Sequence, residues 1–325
     1  MTSRTSSPLI DGIADGIAVD WIAVDWGSSN LRAWAMNGTS RPISETSAAT
    51  GASTLAPDAF EPALLGAIGP WLREAGQPPT DVIICGMAGA RGAWVEAPYG
   101  TVPCPPSPAN PARVPTTDPR LAVRILPGLS QTAPPDVMRG EETQIAGLIA
   151  EEPRFDGVAC LPGTHTKWVH VSAGEVVSFA SYMTGEMFAL LAGQSVLRRT
   201  VAPDGWDEAA FLAGAEDGLA RPDRVPARLF GLRAGALVGD LDPVVARSRL
   251  SGLLIGGEIA AAKPYWLGRD VVLIGAPALS RAYGGALALA GLDAREADAT
   301  AMTIAGLAAA RAALRTRVAS NGAHP

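Results

Sequence analysis

The sequence predicts a two-domain α/β protein with a cleft between its halves. The chain has 325 residues, 48% of them hydrophobic, enough to bury two cores rather than one. A glycine turn at Gly27 precedes a hairpin glycine, Gly38, by eleven positions, and Gly163 precedes Gly174 by the same interval. The strand units built on these turns then close on the same dipeptide, Thr50-Gly51 and Thr184-Gly185. Self-similarity at a fixed spacing is a fold-level signal, so one strand–turn–strand–turn–strand–helix unit is used twice.

The first unit opens at Ile22–Trp26, an apolar β-branched run closed by Gly27-Ser28-Ser29, which reads as a buried strand entering a tight turn. Leu31–Met36 is a second strand, Asn37-Gly38 a hairpin signal, and Ile43–Ala49 a third strand. A helix over Phe60–Arg73 and a short buried strand over Val82–Cys85 follow. Prolines are dense from Pro98 to Pro119, which predicts loop without regular helix. The second unit has strands at Gly157–Leu161, Lys167–Val171 and Val176–Tyr182, with the turn Pro162-Gly163-Thr164-His165-Thr166 between the first two, and a helix over Glu186–Arg199. The pentapeptide IAVDW occurs twice in succession, at Ile17–Trp21 and Ile22–Trp26; only the second copy leads into a glycine turn, so it is taken as the working strand. Residues 1–20 are expected to be a disordered extension, with a domain boundary near Glu151–Asp156.

Composition excludes several classes. A net charge of −6 offers no basic footprint for nucleic acid. Cys85, Cys104 and Cys160 are widely spaced, without a CxxC pair, which argues against a zinc site or a disulfide framework. The start reads as neither signal peptide nor membrane span, so a cytoplasmic location is expected. The P-loop, the GxGxxG fingerprint, HExxH and GxSxG are all absent. Lysine occurs only at Lys167 and Lys263.

A turn of Gly, Ser and Thr points backbone N–H groups and hydroxyls into one small space, which suits phosphate oxygens. Two such turns across a cleft would hold a polyphosphate from both sides. Asp25, at the end of the first strand, can hold Mg²⁺ directly or through water while the metal bridges phosphates. Either turn alone would also serve as a plain hairpin.

Val24–Arg32 (VDWGSSNLR) resembles the first phosphate motif of the superfamily joining sugar kinases, actin and chaperone ATPases, and Leu161–Trp168 (LPGTHTKW) resembles its second. Val271–Leu289 resembles the adenosine motif, and Ala301–Ala310 the closing helix of sugar kinases. With Cys85–Tyr99 (CGMAGARGAWVEAPY), Arg139–Gln144 (RGEETQ) and Ser251–Ile259 (SGLLIGGEI), the wording is similar to the 2-dehydro-3-deoxygalactonokinase family. The phosphate motifs identify only the superfamily; LPGTHTKW, RGEETQ and GMAGARGAW argue for the family.

The resemblance implies a ribonuclease-H-like fold of duplicated βββαβα units. It implies an N-terminal domain over residues 21–152, holding the first turn, the sugar-acid site and the base. A C-terminal domain over residues 153–325 would hold the second turn and the adenosine site. The implied activity is transfer of phosphoryl from ATP to the terminal hydroxyl of 2-dehydro-3-deoxy-galactonate, with Mg²⁺. Sugar kinases place the catalytic carboxylate after a glycine at a helix start; here Gly140-Glu141 holds that place, with glutamate for the usual aspartate and Glu142 as competitor. Gly27, Ser28, Ser29 and Arg32 would meet the phosphates from one side, and Gly163, Thr164, His165, Thr166 and Lys167 from the other. Arg32 would serve equally as a surface arginine, and His165 as a backbone cap. Gly275 would face adenine, and Gly256, Gly257 and Glu258 the ribose, unless these small residues serve helix packing. Arg91 is the candidate fork for the sugar carboxylate, with Trp94 as an apolar wall and Glu96 or Tyr99 for hydroxyls. A kinase for another sugar, an exopolyphosphatase-like phosphohydrolase, and an actin-like filament or chaperone-type ATPase are the competing readings. A homodimer is compatible with all of them.

Overall fold

The computed structural model describes residues 18–107 and 110–321. The first half contains β1 (Trp21–Trp26), β2 (Leu31–Met36), β3 (Pro42–Ala48), α1 (Phe60–Ile68) and β4 (Thr80–Gly86). Short strands β5 (Tyr99–Thr101) and β6 (Ala112–Arg113) follow, then β7 (Leu121–Ile125), β8 (Gly128–Thr132), β9 (Pro135–Met138) and α2 (Glu141–Glu151). The second half runs β10 (Gly157–Leu161), β11 (Thr166–Ser172), β12 (Glu175–Tyr182) and α3 (Thr184–Gly193). Four helices come next: α4 (Glu208–Ala220), α5 (Val225–Val238), α6 (Pro243–Ala261) and α7 (Lys263–Trp266). The chain closes with β13 (Val271–Gly275), α8 (Pro277–Leu289), β14 (Arg295–Asp298) and α9 (Ala299–Asn321).

Two sheets share one topology. The first is ordered β3-β2-β1-β4-β7-β6 and the second β12-β11-β10-β13-β14, so the five-strand order recurs. In each, the opening strand pairs antiparallel with the next and parallel with a later one: β1 with β2 and β4, β10 with β11 and β13. These central strands carry helices or sheet on both faces, which is why they read as unbroken apolar runs: β10 is buried throughout, and of β1 only Asp25 is not. A third sheet, β5-β8-β9, sits beside them.

Three local expectations are corrected. The helix predicted over Phe60–Arg73 ends at Ile68 and tightens into a 3₁₀ turn over Gly69–Trp71, because Pro70 cannot continue the ladder. The helix predicted over Glu186–Arg199 starts at Thr184 and ends at Gly193, with a separate 3₁₀ turn over Val196–Arg199. The proline-dense stretch holds two short strands, β5 and β6.

The cores do not part at residues 152 and 153. Ile145 and Leu148 of α2 pack into the second sheet's cluster with Val169, Phe179 and Val272. Leu307 and Ala310 of α9 pack onto the first sheet against Trp21, Ala23 and Trp34. The two helices cross at backbone contact: a Cβ on Gly147 would lie 2.0 Å from the Met302 carbonyl oxygen, and one on Gly306 1.9 Å from that of Thr143. Residues 18–20, expected in the disordered extension, are placed. The Asp20 N–H donates to the Met36 carbonyl at 2.8 Å, and its carboxylate pairs with buried Arg311 at 2.7 Å. The rest of that extension, 1–17, lies outside the described residues.

Candidate active site

The two glycine turns are built alike. Gly27 donates its N–H to Asn30 at 2.9 Å, and Ala52 and Ser53 donate theirs to the Gly27 and Ser28 carbonyls at 3.0 and 3.1 Å. Across the molecule, Glu186 donates its N–H to Thr164 at 3.0 Å. Each turn rests on a glycine that follows the third strand of its unit. A Cβ on Gly51 would lie 2.2 Å from the Ser28 carbonyl oxygen, and one on Gly185 2.3 Å from that of Gly163. Both turns line one cleft of about 600 Å³, where Gly27, Ser28 and Arg32 meet Gly163, Thr164 and His165.

Glu141 reaches the same cleft because of two glycines. Gly86, at the end of β4, has φ +92°, and a Cβ there would lie 2.6 Å from the Trp26 carbonyl oxygen. Gly140, with φ +108°, sits against Gly86, a Cβ on it being 3.5 Å from the Gly86 Cα. Helix α2 therefore starts on the tips of β1 and β4, beside Asp25. Glu141 accepts the Arg139 backbone N–H at 3.1 Å and lines the cleft. Glu142 turns inward: it is 1% exposed and accepts the Gly140 N–H on both oxygens, at 2.9 and 2.7 Å. Burial, seconded by the Glu141 charge, pushes its carboxyl up to about 8. Burial also raises the Glu141 carboxyl, opposed by the nearby charges of Lys167 and His165. Of the two competing acids, the cleft receives Glu141.

Other predicted residues are placed less as expected. Arg32 lines the cleft, but its Nη2 donates to Asp25 at 2.6 Å and its Nη1 to Thr300 at 3.2 Å. His165 faces Glu186 at 2.6 Å. Ser29 is exposed on the turn. Thr166 is fully buried, with its hydroxyl 2.8 Å from that of Tyr283. Tyr283 donates to Glu258 at 2.8 Å, and Trp168 Nε1 donates to the same carboxylate, so Glu258 belongs to an internal network rather than to a ribose site. Lys167 is 6% exposed and donates to the Val137 carbonyl and Ser181 hydroxyl, at 3.0 and 2.6 Å.

Gly275 lines the cleft. Gly256 does not: a Cβ there would lie 2.1 Å from the Ala215 carbonyl oxygen, so its smallness lets α6 lie against α4. Gly257 is part of the same crossing, its amide nitrogen 2.8 Å from where a Cβ on Gly218 would stand. The proposed carboxylate fork is also elsewhere. The Arg91 side chain is 90% exposed and pairs with Glu96 at 3.5 Å. Trp94 stacks on Phe60 and meets Trp26 edge-on, closing the first core. Tyr99 lies under the Arg139 guanidinium, 4.2 Å from ring centroid to Cζ.

Sequence reasoning missed three features. Arg139 lines the cleft, though within RGEETQ only Gly140, Glu141 and Glu142 carry an expected role. Asp298, at the end of β14, faces the cleft while capping α9 through the Ala301 N–H at 2.7 Å. A second, mostly apolar pocket of about 310 Å³ opens beside Gly163 and Gly185, walled by Trp206, Arg247, Ser251, Ile255, Leu279 and Tyr283. Ser251 and Ile255 occupy the helix face next to the one Gly256 presents to α4. A lone Trp206 in a loop carries no sequence signal for such a wall.

The donor chemistry fits Mg²⁺. Asp25 offers Oδ1, whose one hydrogen-bond donor among the described residues is the Cys85 thiol at 3.8 Å, while Oδ2 is taken by Arg32. Among the described residues no cluster of three or more His, Cys, Asp or Glu forms a protein cage. Magnesium asks for one or two carboxylates, with water and phosphate oxygens at its other positions.

Comparison with known proteins places these features in a family context. A family model described as 2-keto-3-deoxy-galactonokinase matches residues 25–310. A Rhizobium meliloti (strain 1021) protein, named a probable 2-dehydro-3-deoxygalactonokinase, is 38% identical over 301 residues, covering 90% of this chain and 97% of its own. The 2-dehydro-3-deoxygalactonokinase of Escherichia coli (strain K12) is 35% identical over 276 residues, covering 84% of this chain and 91% of its own. A crystal structure from Sinorhizobium meliloti, assigned provisionally to the same activity, superposes with a TM-score of 0.83 at 37% identity, over 90% of this chain and 96% of that one. Component A of Acidaminococcus fermentans (R)-2-hydroxyglutaryl-CoA dehydratase, 13% identical with a TM-score of 0.51 over 90% of this chain and 98% of that one, shares the fold alone.

Proposed function

The chain belongs to the 2-keto-3-deoxy-galactonokinase family, and on that premise we propose that it transfers the γ-phosphoryl group of ATP to the terminal hydroxyl of 2-dehydro-3-deoxy-galactonate, giving the 6-phosphate. One observation supports this above the rest: two glycine-buttressed turns face a single cleft with Glu141 on its wall. Phosphoryl transfer asks little covalent chemistry of the protein; it asks for positioning and charge neutralisation. The turns at Gly27 and Gly163 would grip the phosphates with backbone N–H groups. The apolar pocket behind Gly163 would take the nucleoside, with Trp206 and Arg247 on its walls. Glu141 would accept the hydroxyl proton as the acceptor oxygen attacks, and burial raises its carboxyl above the ordinary glutamate value. Mg²⁺, held by Asp25 and phosphate oxygens, would supply charge neutralisation. No helix among the described residues is long and apolar enough to cross a membrane, and we assign the reaction to the cytoplasm.

The test is a panel of acceptors with ATP and Mg²⁺, read as ADP release. The galacto- and gluco-configured keto-deoxy acids should be turned over far faster than neutral hexoses. Better turnover of a neutral hexose would replace the acid by another sugar. ADP released at the full rate without any sugar would replace the kinase by a phosphohydrolase.

A further inference from the structure

We propose that Arg139 binds the carboxylate of the sugar acid and is the residue that selects acids over neutral sugars. This rests on the sugar-acid kinase reading above and replaces Arg91 in it. Arg139 lines the cleft with Glu141, two residues away, and its backbone N–H donates to that same Glu141. Its guanidinium is fixed before any ligand arrives. It lies 4.2 Å over the Tyr99 ring, donates through Nη2 to the Ala97 carbonyl at 2.8 Å, and through Nε to the Tyr99 hydroxyl at 3.4 Å. Gly89 makes room for it, because a Cβ there would lie 2.9 Å from Nη1.

What the guanidinium lacks is an anion. The enclosed or half-enclosed arginines Arg32, Arg120 and Arg311 each pair with an aspartate. No such pair forms at Arg139 among the described residues, and its Nη1 is enclosed without any hydrogen-bond partner. A guanidinium keeps its charge in proteins, so a partly dehydrated one without a counter-ion is costly until an anion arrives. The acids nearest to it are already committed. Glu142 is folded onto the Gly140 N–H, and Glu141 points into the cleft.

Two anions could come: the transferred phosphoryl group or the acceptor's carboxylate. The groups that hold the guanidinium in place, Tyr99 at the start of β5, Ala97 before it and the space left by Gly89 after β4, belong to neither glycine turn. Arg139 lies beside Glu141 and apart from both phosphate turns, which favours the acceptor's carboxylate; with Nη1 enclosed and Nε and Nη2 each holding one bond, the second Nη2 N–H is the donor left to meet it.

The experiment compares a keto-deoxy sugar acid with its primary amide as acceptors, with ATP, for the wild type, Arg139→Gln, Arg139→Lys, Tyr99→Leu and Arg91→Gln. In the wild type the acid should be preferred. Arg139→Gln should raise KM for the acid about 10- to 100-fold, the loss expected for a charge-assisted bond. The preference over the amide should collapse, while KM for ATP holds. Arg139→Lys should recover part of that loss, since it returns the charge without the fork. Tyr99→Leu should give a smaller rise for the acid alone, and it reads the same contact if Arg139→Gln does not fold. Equal losses for acid and amide, a fall in kcat with KM unchanged, or the same collapse from Arg91→Gln would each overturn the assignment. A wild type that turns over no keto-deoxy acid overturns the kinase reading and this inference together. An inference that fails alone leaves wild-type turnover of the acid intact.

Discussion

Gly51 lies so close beneath Ser28 that a Cβ on it would stand 2.2 Å from the Ser28 carbonyl oxygen, and Gly185 repeats the relation with Gly163 at 2.3 Å. Neither glycine has a positive φ, so the requirement is space, not backbone conformation. Gly51→Ala and Gly185→Ala should each displace a phosphate turn by several tenths of an ångström or more. We expect kcat/KM for ATP to fall at least about tenfold in each, because a small misplacement of positioning groups is expensive in rate. Gly38→Ala, where nothing stands within 4 Å of the added Cβ, is the control and should behave as wild type. Unchanged ATP kinetics in Gly185→Ala would refute the buttress.

This duplication was the most legible part of the sequence. The spacing of Gly27, Gly38 and Thr50-Gly51 recurs at Gly163, Gly174 and Thr184-Gly185, and at Gly51, Gly185 and Gly174 a demand on space or, with φ +77° at Gly174, on backbone conformation leaves a residue-level mark. The exchange of α2 and α9 between the two cores left no such mark. Ile145 and Leu307 read as ordinary apolar helix positions, and which sheet they cover is decided by tertiary packing. The site was legible where a backbone motif builds it and illegible where a side chain's direction decides. Arg91 and Arg139 look equivalent in sequence, yet one is solvated and the other is clamped over Tyr99. Lys167 was noticed for its rarity, but its ammonium is taken up by Val137 and Ser181. Gly256 carried two readings, and the α4 backbone at 2.1 Å chooses packing.

The apolar pocket beside Gly163 makes a prediction for nucleotide affinity. Trp206 is half exposed, braced on Phe211 at 4.7 Å between ring centroids and by its Nε1 donating to Glu208 at 2.6 Å. A purine stacked on such a ring gains about 1–3 kcal/mol. Trp206→Ala should therefore raise KM for ATP by about tenfold or more and leave KM for the sugar acid in place. A matching rise for the acid, or none for ATP, would move the nucleoside elsewhere.

Asp25 predicts a metal dependence. Its Oδ1, which meets only the weakly donating Cys85 thiol among the described residues, is the donor available to a cation at the first turn, since Oδ2 is bonded to Arg32. Asp25→Asn keeps the side-chain volume and removes the charge. The Mg²⁺ concentration for half-maximal activity should rise and the melting temperature should change little. An unaltered Mg²⁺ titration would remove Asp25 from the metal site.

Glu141 and Glu142 are adjacent, both with raised carboxyls, and they predict opposite phenotypes. Glu141→Gln should lower kcat by about 10²–10⁴-fold with KM for the acid little changed, the signature of a lost general base. With its carboxyl raised by burial, the acid limb of the wild-type kcat profile should lie above 4.5, the value of an ordinary glutamate. Glu142→Gln should retain most of kcat, since that side chain is turned away from the cleft onto the Gly140 N–H. Its effect belongs in stability. In the folded chain Glu142 holds its proton up to about pH 8, against 4.5 for an ordinary glutamate. Between those values the folded state binds more protons than the unfolded one, so stability is greatest below pH 4.5 and is lost as pH rises toward 8. One such proton is worth about 1.4 kcal/mol per pH unit inside that window. Glutamine cannot ionise, so Glu142→Gln should gain on the wild type in melting temperature as pH climbs from 5 to 8. A difference between the two proteins that stays constant over that range would mean that Glu142 is already charged in the fold, and the division of labour between the two acids would have to be redrawn.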